Sequence, residues 1–156
     1  MTHIQNLDQL LTSEDINSSI IELDDFIGDL CDYGENMHNL SEQQKNFYLN
    51  QNLEREVNNG GFKQYFINSS GNYAHETVTS LKLIGADHTA NILQKAIDQF
   101  PESKVPTERD QRREVVKAIE EATNQVLETL SKKFFEYVDN LNALNIEYVR
   151  KNRENF

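Results

Sequence analysis

Four carboxylates, Glu22, Asp25, Asp29 and Asp32, follow one another at intervals of three, four and three residues. On a helix these intervals place all four side chains within about 60° of one line along the surface. At a rise of about 1.5 Å per residue, neighbouring charges lie roughly 5 Å apart, whereas one DNA strand carries a phosphate about every 3.4 Å. The spacing therefore predicts a carboxylate ridge similar in scale to a phosphate backbone.

The ridge lies in a segment that has no basic residue. Residues 1–44 carry ten carboxylates and no Lys or Arg, so their charge is −10 of the total −11. The later residues hold the other 16 of the 26 acidic residues and all 15 basic ones. Such a field attracts cationic partners and repels nucleic acid and anionic membranes, so we exclude direct binding to either. The candidate partner-binding residues are Glu14, Asp15, Glu22, Asp24, Asp25, Asp29, Asp32 and Glu35.

An ordinary solvated helix face is the alternative interpretation of the ridge. Exposed faces usually mix both signs, because like charges at helical spacing cost a few tenths of a kcal/mol per pair. A face without any base keeps that repulsion throughout. This suggests a use for the field, and both interpretations of the ridge stay open at this point.

A second candidate is the segment 58–71, NNGGFKQYFINSSG. Its three aromatic residues, Phe62, Tyr65 and Phe66, share one helical face and are expected in the core. Gly60 and Gly61 permit a positive φ or a close helix approach, and we expect Gly60→Val to destabilise the fold if the φ of Gly60 is positive.

A ligand pocket is the alternative role for this segment. It would use the amides of Asn59, Gln64 and Asn68. The segment contains no nucleophile or base at a useful spacing and matches no phosphate-binding loop.

Signals for catalysis or metal binding are weak. His75 begins a zinc-type HExxH pattern, but Thr79 stands where the second histidine belongs. The single cysteine, Cys31, excludes an intramolecular disulfide and is expected in the core. We expect no enzymatic activity, no cofactor and no metal.

The densest basic cluster consists of Arg109, Arg112 and Arg113 at the start of a predicted helix. Cations are unfavourable at a helix N-terminus. We therefore predict that these arginines pair with Glu108, Asp110 or the acidic N-terminal region.

Helical periodicity runs along the whole chain, which predicts an all-α fold of six to eight helices in one domain, 1–156. The first predicted helix begins at Ser13 and ends near Gly34. Its apolar stripe comprises Ile16, Ile20, Leu23, Ile27 and Leu30. Residues 1–44 lack the features of a signal peptide, no apolar run is long enough to span a membrane, and we expect a cytoplasmic protein.

The segment 58–71, with LKLIGA at 81–86 and AIDQFP at 96–101, resembles a family of bacterial DNA-mimic proteins, a small all-α domain formerly of unknown function. A later Asp and Arg complete the pattern, here Asp110 and Arg113. The signature residues in the first segment are Asn59, Gly60, Gly61, Phe62, Gln64, Tyr65, Phe66, Asn68, Ser69 and Gly71. The resemblance implies an all-α protein that occupies the DNA-binding site of a helix-turn-helix transcription repressor.

Three functions therefore compete. The leading one is a DNA mimic whose acidic surface prevents a repressor from binding its operator. The alternatives are a neutralising partner of a basic toxin or nuclease, and a small-ligand-binding domain that uses segment 58–71. The sequence leaves the oligomeric state and the partner's identity open.

Overall fold

Helices supply the regular secondary structure of residues 4–156, the part of the chain that this computed structural model describes. That part contains no strand. Its eight α-helices are α1 (Leu7–Thr12), α2 (Ile16–Leu30), α3 (Glu42–Ile67), α4 (Ala74–Leu83), α5 (Asp87–Ile97), α6 (Arg109–Lys117), α7 (Glu121–Phe134) and α8 (Leu141–Lys151). The prediction of an all-α fold with six to eight helices is confirmed. Over the same residues, none of the helices has the length and apolarity needed to cross a bilayer.

Helix α2 presents the predicted apolar stripe to the core, with Ile20, Leu23 and Ile27 fully buried. Its bounds differ from the prediction at both ends. The N-cap is Asp15 instead of Ser13, because the Asp15 carboxylate accepts a hydrogen bond from the Ser18 amide at 3.1 Å.

The C-terminal end of α2 comes at Leu30, four residues before Gly34. Asp32 and Tyr33 both adopt a φ of 50°, and the chain turns away from the helix axis there. Asp32 therefore lies in the turn after α2, so the prediction that it extends the ridge on the helix is wrong.

Helix α3 begins with the capping box of Ser41 and Gln44 and breaks at two glycines. The φ of Gly60 is −157°, an extended value open to any residue, whereas Gly61 has a φ of 72°. Of the two glycines expected to permit a positive φ, only Gly61 adopts one, so the condition set for Gly60→Val is not met. Beyond the break, the Phe62 amide donates to the Ser131 hydroxyl on α7 at 3.1 Å, which satisfies a donor released from the helix.

The aromatic residues after this break lie in the core, as predicted. Phe62, Tyr65 and Phe66 are at most 1% exposed. The Phe66 ring packs against Phe100 with centroids 4.7 Å apart, and the Phe62 ring packs edge-on against Phe134 at 6.1 Å. The buried rings of segment 58–71 therefore pack against Phe134 of α7 and against Phe100, which follows the end of α5.

Two groups of buried apolar side chains make up the core, and α3 and α8 contribute to both. One group surrounds the second half of α3 and includes residues of α4, α5 and α7. The other lies under α1 and α2, where Phe47 of α3 and Val149 of α8 are fully buried. Helix α2 is thus seated on the second group, with its opposite face towards solvent.

We expect Phe66→Ala to lower the free energy of unfolding by about 3–5 kcal/mol, because it empties a ring-sized volume in a close-packed core. Gly61→Ala should cost about 1–3 kcal/mol, because its φ of 72° is strained for a residue with a Cβ. Urea unfolding of each variant measures both effects. Phe135→Ala is the control, since this ring is 46% exposed. Equal stability of all three variants would show that neither the rings nor the break support the fold.

Candidate protein-binding surface

Five carboxylates near helix α2 form the exposed group that we call the acidic surface. Its members are Glu22, Asp25 and Asp29 on the helix, and Asp32 and Glu35 in the turn that follows. From Glu22 to Asp29 the helix rises by about 10 Å, or two turns. The structure therefore brings together the residues predicted for the ridge, with the last of them displaced from the helix into the turn.

The turn after α2 is held against the helix by Tyr33. The Tyr33 ring lies over Gly28, and its hydroxyl donates to Asp29 Oδ1 at 2.8 Å. This hydrogen bond raises the pKa of Tyr33, so the phenol stays a neutral donor at physiological pH. The contact fixes the position of Asp32 relative to the helical carboxylates.

The acidic surface has no internal counter-charge. Within residues 4–156, none of its five carboxylates forms an ion pair with a Lys or Arg. Glu14 is also exposed and unpaired there. Asp15 is exposed as well, and its hydrogen bonds from Ser18 lower its pKa, so it stays ionised while it caps α2. The exposed charge is therefore available to a partner.

Asp24 differs from the other candidate residues because it points towards α3. Its Oδ2 lies 2.9 Å from Arg55 NH1, and its side chain is 15% exposed. Burial raises the pKa of Asp24, and the nearby Arg55 only partly opposes this effect. Asp24 thus helps seat α2 on α3 and contributes little to the exposed field.

Hydrogen bonds hold α2 on two further sides. The Asn142 side chain of α8 donates to Asn17 Oδ1 at 2.8 Å. The Ser19 hydroxyl donates to the Leu10 carbonyl of α1 at the same distance. Together with the Asp24–Arg55 pair, these bonds fix the direction in which the acidic surface faces.

Two large apolar side chains lie beside these carboxylates and remain exposed. Ile21 is 62% exposed one turn before Asp25, and Tyr33 is 56% exposed beside Asp29. A surface that combines carboxylates with exposed apolar groups can contact both the charged and the apolar parts of a protein partner.

Two of the three side-chain amides predicted to line a ligand pocket form hydrogen bonds within the chain. Gln64 and Asn68 both donate to Glu56 Oε2, at 3.0 and 2.7 Å. Together with Asn59 they line an open depression of about 570 Å³. The three side chains do lie together, but two of them hold a carboxylate of the chain itself.

Arg112 contradicts the prediction that the arginine cluster pairs with carboxylates. Its side chain is fully buried and donates five hydrogen bonds, which link the C-terminal end of α3 and the turn after it to the loop before α6. The acceptors are the carbonyls of Phe66 (2.5 Å), Asn68 (2.9 Å), Pro106 (2.8 Å) and Thr107 (3.3 Å), and the Asn72 side chain (2.7 Å). Carbonyls at a helix C-terminus lack partners in the helix and carry partial negative charge, so they favour a cation.

The buried position of Arg112 explains why the signature has glycine at position 71. A Cβ on Gly71 would lie 2.5 Å from Arg112 Nε, so only glycine leaves room for the guanidinium. The sequence did contain a signal for the burial of Arg112. This residue lies three, four and seven residues before Val115, Val116 and Ile119. That spacing places it on the apolar face of α6.

No metal-binding group of three or more His, Cys, Asp or Glu residues occurs within residues 4–156. Cys31 is buried, as predicted. His75 is exposed, and its Nε2 accepts a hydrogen bond from the Val105 amide at 3.1 Å. The chemistry of the described surface is therefore dominated by unpaired carboxylates.

Residues 38–152, well over half of the chain, match the family described as DMP19-like protein. The chain belongs to this family. DMP19 stands for DNA mimic protein 19, so the match confirms the resemblance to the DNA-mimic family. Membership in the DMP19-like family indicates DNA mimicry in general, a protein-binding role and a DNA-binding protein as partner. Neither the curated proteins nor the solved structures yielded a match.

The family match and the acidic surface are separate observations. The matched residues begin at His38, after α2 and its turn. Charge and exposure alone, without the family match, therefore assign the acidic surface as the candidate binding site.

Proposed function

We propose that the acidic surface occupies the DNA-binding site of a helix-turn-helix transcription repressor and prevents that repressor from binding its operator. The observation that carries this proposal is a row of five exposed carboxylates without any basic partner within residues 4–156. Each carboxylate would take the place of a DNA phosphate opposite a Lys or Arg of the repressor. Membership in the DMP19-like family supports a partner of this class.

Electrostatics determine how such a complex forms. The charge of −10 on residues 1–44 steers a basic partner towards α2, so association is fast at low salt and slows as salt screens the field. The fixed direction of α2 keeps the carboxylates in one arrangement before binding, which lowers the entropy lost on association.

A basic toxin or nuclease is a second candidate partner. The same surface would bind it, because any protein with a cationic groove offers the same complementary charges. The identity of the bound protein separates these two functions.

Capture of the partner tests the proposal. Immobilised protein should retain a DNA-binding transcription factor from its own cell extract at about 50 mM salt and release it at about 500 mM, because screening weakens the charge pairs. A variant with Glu22→Lys and Asp25→Lys should retain none of it. Retention of a basic toxin or nuclease instead would favour the second candidate. Equal retention by both proteins at both salt concentrations would contradict any role for the acidic surface.

A further inference from the structure

Two guanidinium groups converge on one carbonyl oxygen beside the NGGF segment. The Nε atoms of Arg109 and Arg113 both donate to the Ile67 carbonyl, at 3.2 and 3.3 Å. Both side chains are half-buried, and neither forms an ion pair within residues 4–156. Two like charges thus share one carbonyl acceptor, and neither has an ion-pair partner in the described part of the chain.

The nearby carboxylates are mostly engaged elsewhere. Glu56 accepts hydrogen bonds from Gln64 and Asn68. Glu108 accepts from two backbone amides at the start of α6, and Glu114 pairs with Lys117 at 2.9 Å. Asp110 is exposed at the first turn of α6, and none of the hydrogen bonds found among residues 4–156 links it to either arginine.

Several donors of the two arginines have no acceptor among the described residues. Apart from its Nε, the guanidinium group of Arg113 makes no hydrogen bond there. That of Arg109 makes one further, longer bond, from Nη2 to Asn68 Oδ1 at 3.4 Å. The NH1 and NH2 groups of a guanidinium form a fork that matches two oxygens of a phosphate or carboxylate.

An open depression borders the two residues whose oxygens accept from these arginines, and a third cation is part of its lining, although the arginines themselves are not. Its lining includes Lys63, which has no ion pair in the described part of the chain, and both Ile67 and Asn68. Lys63 lies four residues before Ile67, on the same face of the helix. The depression of about 570 Å³ exceeds the size of a phosphate ion.

We propose that Arg109, Arg113 and Lys63 form a binding site for an oxyanion group, a phosphate or a carboxylate of a small molecule. The bound oxyanion would accept hydrogen bonds from the two guanidinium groups and the lysine, none of which forms an ion pair within residues 4–156. Because the chain as a whole carries a charge of −11, anions are not attracted to it in general, so binding would depend on this cluster.

Nuclear magnetic resonance of the full chain, with the arginine Nε–H signals observed directly, tests this site. Sodium phosphate and sodium acetate are titrated separately at an ionic strength held constant with sodium chloride. We expect saturable shifts of the Arg109 and Arg113 signals with at least one of the two anions, and the anion that gives them identifies the ligand class. Arg113→Gln and Lys63→Gln should each weaken the affinity by about tenfold, the worth of one charge-assisted hydrogen bond. Lys117→Gln, on the same helix as Arg113, should leave the affinity for the anion unchanged.

The absence of saturation by either anion would overturn the proposal. So would affinities in Arg113→Gln and Lys63→Gln equal to that of the wild type. Lys63→Gln keeps the test decisive if Arg113→Gln fails to fold, because Lys63 is exposed. The result is independent of repressor binding, which involves other residues.

Discussion

Replacing Arg112 with Met is expected to lower the free energy of unfolding by about 3–5 kcal/mol, the range measured when one partner of a buried charged network is removed. The Arg112 side chain is fully buried and donates to four carbonyls and the Asn72 amide oxygen. Met has a similar length but no donor. The Asn68 carbonyl would keep its hydrogen bond from the Gly71 amide at 3.1 Å. The carbonyls of Phe66, Pro106 and Thr107 would lose the Arg112 donor, at about 1–3 kcal/mol for each one that stays buried without a partner.

Urea unfolding followed by circular dichroism measures this loss, with Lys117→Met as the matched control. Lys117 lies on the same helix, is 73% exposed and should tolerate the change within about 0.5 kcal/mol. Arg112→Lys should fall between, because an ammonium group keeps the charge but cannot reach acceptors on several sides. A loss for Arg112→Met no greater than that of the control would show that the carbonyls find other donors and that Arg112 does not support this junction.

The apolar pattern predicts much of the fold because burial and helical periodicity are linked residue by residue. Ile20, Leu23 and Ile27 are buried along the predicted stripe, and Phe62 and Phe66 are fully buried in the core. Local hydrogen bonds are also predictable, as the capping box at the start of α3 shows.

What escaped prediction depends on contacts between distant residues. The spacing of Arg112 on α6 could have indicated its burial, but its acceptors lie at residues 66–72 and 106–107, which the sequence alone does not bring together. Asp24 lies beside the apolar stripe of α2, but its ion pair with Arg55 joins residues 31 positions apart, and the sequence alone does not show that contact. The short helix α1 carries too few residues for a periodic pattern, and Arg150 of α8 stabilises its end by donating to the Leu11 carbonyl.

The candidate site was predictable in charge but only partly in shape. The charge of the acidic segment follows from composition, and exposure of Glu22, Asp25 and Asp29 follows from their position opposite the stripe. The left-handed turn at Asp32 and Tyr33 does not follow, because non-glycine residues seldom adopt a φ of 50°.

The second large effect concerns the acidic surface itself. Neutralising four of its members by Glu22→Gln, Asp25→Asn, Asp29→Asn and Asp32→Asn keeps the shape and removes four charges. The fold should survive, because the side chains are exposed and their mutual repulsion is relieved. If each charge pair with the repressor contributes about 0.5–1 kcal/mol, the affinity should fall roughly thirtyfold or more.

A matched control removes four charges at another place on the surface. Glu120, Glu121, Glu128 and Glu136 are all exposed and lie on or beside α7, in the part of the chain where acidic and basic residues are interspersed. Changing these four to Gln gives a protein of the same net charge as the α2 variant. The control therefore separates the effect of the acidic surface from the effect of total charge.

The most direct test is displacement of labelled operator DNA from the captured repressor by the wild type, the α2 variant and the α7 control across a salt series. We predict that the wild type and the control displace the DNA at similar concentrations and become less effective as salt rises. The α2 variant should need a concentration roughly thirtyfold higher or more, with a weaker dependence on salt. Equal displacement by all three proteins, with equal salt dependence, would contradict DNA mimicry by the acidic surface.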